Sequence, residues 1–338
     1  VTILWTVQAQ LQEACHPPIE AGHPPIEAGH PVEPEKIEKK TNKNESLHYM
    51  FSFLHSCYKT VQNTYTKVRD YFIESCTISP KSALNFFYVN GFLWATSYTL
   101  HKSHTFFIST ISCNIVLMAF IYLGTRHKQD ISSLQRSVPT FTTRLSDISF
   151  FLSSSFIQAV LHETILHYYP VASLGRFLPL NLFLFELVFD LVHYTTHRLS
   201  HTVYYGFHKI HHWHAHPTLI NTFCHHPVDL FLMDCVPTLV AFWVFSGVFD
   251  AFQVQLILVY KAFIEISGHC GKSSLRKSLA DKPLHTGSFP LCIWLPRLLC
   301  IDLITEDHDL HHSIHTCNYG KRFSLWDKLF FTYRRTAD

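Results

Sequence analysis

Residues 177–201 read FLPLNLFLFELVFDLVHYTTHRLSH, an apolar run that passes without interruption into histidines at 193, 197 and 201. The apolar part, Phe177 to Val192, predicts a membrane helix. Residues four apart share one face of a helix, so His193, His197 and His201 form a stripe that continues this helix past the bilayer surface. The same apolar pattern recurs on both sides. Ala83–Leu100 and Thr105–Gly124 form a predicted hairpin across His101-Lys-Ser-His104, because twenty residues at 1.5 Å each reach about 30 Å, the thickness of the hydrocarbon core. Asp147–Leu166 pairs with Phe177–Val192 through a turn holding Pro170 and Gly175. Leu230–Ile266, broken at Ser246-Gly247, is long enough for two helices, whereas Phe289–Ile304, with Pro290, Pro296 and Arg297, reads as interfacial or re-entrant. The expected fold is all-α: a polytopic membrane helical bundle of about four to six spanning or re-entrant helices with a cytosolic histidine-rich helical cap.

Composition agrees with a membrane setting. Of 338 residues, 47% are hydrophobic and only 15% charged, well below the quarter or so usual in soluble domains. Lys plus Arg (27) nearly balance Asp plus Glu (25), so no basic field points to nucleic acid. None of the ten cysteines sits at C-x-x-C spacing, which argues against a zinc knuckle, a thiol redox site or a disulfide scaffold. They read as small core hydrophobes in a reducing compartment.

Three regions are expected. Residues 1–45 open with Val1–Val7, too short and without the basic flank of a spanning or signal segment. They then carry a tandem repeat, His16-Pro-Pro-Ile-Glu-Ala-Gly22 followed by the same heptapeptide from His23 to Gly29. Proline at this density favours extended, disordered chain, and its histidines recur because the repeat recurs. Residues 46–144 hold an amphipathic segment and the first hairpin, and residues 145–335 the remaining apolar runs with the dense histidine segments. Eight Lys or Arg lie between Glu33 and Ser82 and four more (Arg126, Lys128, Arg136, Arg144) after the first hairpin, against Lys102 and Arg176 on the opposite turns. By the positive-inside rule the amino terminus and every dense histidine segment are cytosolic.

Histidine is the anomaly, with 26 in all and 16 between His193 and His315. A buried ring nitrogen needs a hydrogen bond or a metal. Three clusters stand out: HRLSH (His197, His201), HKIHH (His208, His211, His212) and HDLHH (His308, His311, His312). The second and third place rings at i, i+3 and i+4, so that two neighbouring ions could each take one ring of the adjacent pair. An isolated H-x-x-x-H is more often a hydrogen-bonded helix histidine. Three matched clusters on one membrane face reverse that judgement, and eight histidines exceed the four ligands of a structural zinc. Imidazole suits Zn, Cu, Fe or Ni, so ligand type alone leaves the metal open. The segment His162-Glu163-Thr-Ile-Leu-His167 has one residue too many for the zinc-protease helix and reads as a helix end.

These three motifs, in this order and spacing, resemble the histidine boxes of the fatty acid hydroxylase and sterol desaturase superfamily of membrane di-iron oxygenases. Between the boxes, His225-His226-Pro-Val-Asp229 looks like the family's His-Pro-x-acid segment, and Ser267-Gly268-His269-Cys-Gly271 its Asp-His-Ser/Cys-Gly turn, without the Asp. After the last box, Asn318-Tyr-Gly320 and Trp326-Asp327 through Thr332-Tyr333 are similar to its ending, with Phe331 where glycine is usual.

The resemblance implies that His197, His201, His208, His211, His212, His308, His311 and His312 ligate two iron ions, with His226 and His269 as additional ligands. His193, His225, His214, His216 and His315 would hydrogen-bond around them. Asp190 would either fix the tautomer of a ligand or serve as a helix-end charge, and Asp309 is open in the same way. The chemistry implied is oxygen insertion at an unactivated C–H bond, or desaturation when a second hydrogen is removed. With no dinucleotide fingerprint or haem motif in the chain, the electrons for O2 would come from a b-type cytochrome and its NAD(P)H-dependent reductase on the cytosolic face. The lipid substrate would enter from the bilayer, and the endoplasmic reticulum is the expected location. Ser313 and Cys317-Asn318 lean towards sterols, Gly268-His-Cys-Gly271 towards sphingoid bases, and a fatty acyl substrate also stays open. Two rival readings are a non-catalytic zinc-binding or zinc-transporting membrane protein, which would place ligands along the spans, and an inactive scaffold, which would have lost a ligand.

Overall fold

The computed structural model describes residues 80–101, 106–128, 130–131, 145–168, 178–273 and 301–334, with scattered residues of 52–70 and residues 296 and 299. The heptapeptide repeat, most of Phe289–Ile304 and the turns holding Lys102, Arg136, Arg144 and Arg176 lie outside the described residues. The chain divides into two units, Val1–Tyr71 and Phe72–Asp338. In the first, residues 58–67 are helical, and the hydroxyls of Thr60, Thr64 and Thr66 donate to carbonyls four residues back.

The second unit is built from α1 (Pro80–His101), α2 (Phe106–Thr125), α3 (Leu145–Tyr168), α4 (Leu178–Thr202), the single turn α5 (Tyr205–His208), α6 (Pro227–Val244), α7 (Ala251–Gly268), α8 (Thr305–Ile314) and α9 (Leu325–Leu329). Among the described residues there is no strand, only isolated bridges between Asp130 and Lys272 and between Asp302 and Phe323. The all-α membrane bundle expected from the sequence is what forms. α2, α6 and α7 are each long and apolar enough to cross a membrane. The break expected at Ser246-Gly247 is also present. α6 ends at Val244, Gly247 takes a left-handed φ of 76°, and Asp250 opens α7 by accepting from the Gln253 amide at 2.8 Å.

Burial ranks the helices. α7 is mostly buried and α2 mostly exposed, which makes α7 the central column and α2 a peripheral one. α7 packs along α1 and α2, α2 along α3, and α4 along the second half of α6. Leu93, Leu117, Phe151, Phe185, Phe242, Leu256 and Phe263 join them in one core. The outer face of α3 instead exposes Ile148, Leu152, Phe156 and Val160 at four-residue steps. Such a stripe would be an aggregation site in water and suits hydrocarbon.

α4 has 25 residues, about 37 Å at 1.5 Å each, longer than the roughly 30 Å of a hydrocarbon core, with His197 and His201 near its C-terminal end. α6 begins as an α-turn, widens to a π-turn over Phe231–Cys235 and resumes before Pro237. Pro237 has no N–H to give to the carbonyl of Met233, four residues back. That carbonyl accepts instead from His193 Nδ1 at 2.8 Å. The π-turn therefore fastens α6 to the histidine stripe of α4.

Candidate metal centre

The C-termini of α4 and α7, the turn at His211–Trp213, α5 and α8 bring nine histidines into two adjoining groups. His197, His201, His208, His212 and His311 form one, and His211, His269, His308 and His312 the other. Each adjacent pair is divided, His212 and His311 going to the first group, His211 and His312 to the second. The helix C-termini that deliver these rings add partial negative charge, which favours cations.

Hydrogen bonds on the far side of the rings settle which nitrogen faces inward. His197 Nδ1 donates to Tyr319 O at 2.8 Å, His311 Nδ1 to Cys317 O at 2.6 Å and His269 Nδ1 to Glu265 O at 2.8 Å. A carbonyl only accepts, so each Nδ1 carries the proton and each Nε2 presents a lone pair. His208 Nδ1 donates in the same way to Asp229 Oδ1 at 2.7 Å.

In the first group His208 Nε2 stands 3.1 Å from His201 Nε2 and 3.0 Å from His212 Nε2, and His201 Nε2 stands 3.2 Å from His311 Nε2. In the second, His308 Nε2 lies 2.9 Å from His269 Nε2 and 3.2 Å from His312 Nε2. His197 Nε2 is buried without a hydrogen-bond partner. The inward lone pairs of His197, His208, His269 and His311 suit a cation placed among these nitrogens. Metal–nitrogen bonds of about 2.0–2.1 Å put neighbouring ligand atoms about 3.0–3.4 Å apart, the spacing seen here. Burial first, and the neighbouring imidazoles second, push the pKa of His211, His212, His308, His311 and His312 well below the ordinary histidine range. The rings are therefore neutral, as metal ligation requires. The donor set fits two metal ions.

The tail of the chain is the scaffold for these tautomers. Asn318, at φ 56°, gives its side-chain amide to Asp307 O at 2.9 Å and Arg334 O at 2.7 Å, and this fixes the carbonyls on either side of it. Asp327 accepts from the amides of Tyr319 and Gly320 at 2.8 and 2.7 Å. A Cβ at Gly320 would lie 2.5 Å from Phe323 O, so only glycine fits.

Two residues expected near the metals are placed elsewhere. His226 belongs to neither group. Its Nδ1 accepts from the Val228 amide at 3.2 Å, capping α6, and its ring packs 4.8 Å from that of Phe207. Asp190 neither holds a ligand ring nor ends a helix. Its carboxylate accepts from the amides of Lys321 and Arg322 at 2.7 Å each and of Phe323 at 3.1 Å, anchoring the tail to α4. Asp229 does what was expected of Asp190, orienting His208 and, through Oδ2 at 2.7 Å, His225, whose ring stacks 4.2 Å from that of His211. Its signal in the sequence was the four-residue step from His225. His216 pairs with Asp309 at 3.0 Å, and the ring of His315 lies 4.4 Å from that of His212. Sequence reasoning also missed the buried Glu265–Lys321 pair, 2.7 Å apart, which borders a small cavity between the groups together with His193.

Residues 182–332 match the model of the fatty acid hydroxylase family. Curated relatives include a fatty acid hydroxylase of Lecanicillium sp, 28% identical over 224 residues, a match covering 62% of this chain and 57% of the relative. A Delta(7)-sterol 5(6)-desaturase of Gibberella zeae is 26% identical over 222 residues, covering 63% of this chain and 58% of the relative. The chain thus spans less than two thirds of the length of either relative. No solved structure matches it. The boxes, the tail that orients them and these matches fall on the same stretch of sequence, residues 182–332, which is similar to the fatty acid hydroxylase family.

Proposed function

We propose that the protein is a membrane-bound non-haem di-iron oxygenase that hydroxylates or desaturates a lipid, in the first instance a sterol. O2 is the co-substrate, and residues 145–335 form the catalytic domain. The observation that carries this reading is the convergence of nine imidazoles in two adjoining groups, with the Nε2 lone pairs of His197, His208, His269 and His311 turned inward. His197, His201, His208, His212 and His311 hold one iron, and His211, His269, His308 and His312 the other. Activation of dioxygen for attack on an unactivated C–H bond is the chemistry that two irons supply in such a bed. The chain's own part is to fix the tautomers through Cys317, Tyr319, Glu265 and Asp229. Electrons come from a b-type cytochrome and its NAD(P)H-dependent reductase at the cytosolic face of the endoplasmic reticulum, and the lipid enters from the bilayer.

A fatty acyl or sphingoid-base substrate is the second reading, favoured by the relative named as a fatty acid hydroxylase. The test is to incubate membranes containing the full chain and a reductase system with sterols, sphingoid bases and fatty acids under labelled dioxygen, and to read products by mass spectrometry. Labelled oxygen in a sterol, or a sterol lighter by two hydrogens, is the expected result. Product from acyl or sphingoid substrates alone selects the second reading. Bound zinc with no oxygen-dependent product returns the protein to the non-catalytic zinc class.

A further inference from the structure

A third set of donor atoms stands apart from the nine histidines. Asp147 in the first turn of α3, His214 just beyond the His211–Trp213 turn, and Cys224 after the turn Leu219–Phe223 bring one oxygen, one nitrogen and one sulfur within 4.8 Å of one another. Asp147 and Cys224 are fully buried. The Cys224 thiol donates to Asp147 Oδ1 at 3.6 Å, and His214 Nε2 lies 3.9 Å from the same oxygen.

Zinc bonds of about 2.3 Å to thiolate and about 2.0–2.1 Å to nitrogen and carboxylate place S and O about 3.5 Å apart on a tetrahedron, and N and O about 3.3 Å apart. The sulfur and oxygen already stand at that separation, and the ring has about half an ångström to close. Asn221 Nδ2 points at Cys224 Sγ from 3.9 Å, while its own Oδ1 is held by the amide and hydroxyl of Thr218 at 3.0 and 2.7 Å. An amide donor fixed behind the sulfur supports an anionic thiolate ligand. His214 and Asn221 also line a cavity of about 640 Å³ with Thr218, Tyr122, Cys270 and Lys272. The cavity adjoins the site on its His214 side, and a fourth ligand, water or a small anion, would enter from there.

We propose that Asp147, His214 and Cys224 form a mononuclear zinc site, separate from the two histidine groups. Binding exchanges the thiol proton of Cys224 for the metal, the proton passing to solvent, while the carboxylate and the neutral imidazole bind through lone pairs and nothing is oxidised. The ion staples the start of α3 to the segment that leads away from His211 and His212.

Sulfur makes the site separable in experiment, because neither histidine group contains any. The full chain, purified in detergent and stripped of metal, is titrated with Co²⁺. The expected result is one equivalent more than the histidine groups take, with a near-ultraviolet thiolate-to-cobalt charge-transfer band that zinc abolishes on competition. Cys224→Ser should lose the band and one equivalent and keep the rest, and Cys113→Ser should keep both. Absence of the band in the unmodified chain at saturating cobalt overturns the proposal without any variant. So does a band that survives Cys224→Ser. If that variant fails to fold, Asp147→Asn in its place must lose one equivalent of cobalt.

Discussion

His311 has both ring nitrogens committed, Nδ1 to the Cys317 carbonyl and Nε2 beside that of His201. His311→Ala should therefore abolish turnover and lower the bound metal per chain while leaving membrane insertion intact, as metal analysis and product assays will show. His226→Ala should keep the metal and the activity, since that ring only caps α6. Equal metal loss from the two variants would return His226 to the ligand set. Phe331 gives a prediction about stability. It occupies φ 58° and is 77% exposed, so Phe331→Gly should remove about 1 kcal/mol of left-handed strain and raise the melting temperature by about 1–2 °C. The division of each adjacent histidine pair could be read from the i+3, i+4 spacing. The partners of Asp190 could not, because the amides it holds lie 131 to 133 residues away and no local period links them.

Among the elements, α2 and α3 are joined by a polar contact within an otherwise apolar seam. The Asn114 amide donates to Ser155 Oγ and Gln158 Oε1, each at 3.1 Å. Interhelical hydrogen bonds of this kind contribute about 0.6–1.7 kcal/mol in a membrane. Asn114→Val should therefore lower stability within that range in a denaturation assay in detergent, with metal content unchanged. Hydrophobic length made the helices legible in advance, including the break near Gly247. The π-turn of α6 was not legible, because it depends on a tertiary event: Pro237 frees the Met233 carbonyl, and His193 of another helix takes it. The orientation expected from positive charge rests on turns of which most lie outside the described residues.

For the molecule as a whole, metals bound by the two histidine groups would be part of the fold's cohesion. Without ions, nine closely packed imidazoles would be left facing one another, and the unfolded chain has no comparable site. A ligand present at a thousand times its dissociation constant stabilises the native state by about 4 kcal/mol. Chelation should lower the melting temperature in detergent, and adding the metal back should restore it. An unchanged melting curve would show that the bundle stands without its ions. The sharing of His211-His212 and His311-His312 between the groups has a further effect on loading. One turn and one short helix carry rings for both ions, so filling either group orders the backbone from which the other projects. The two ions should then load cooperatively, with a steep isotherm and few half-loaded molecules, so that the protein holds either both metals or neither.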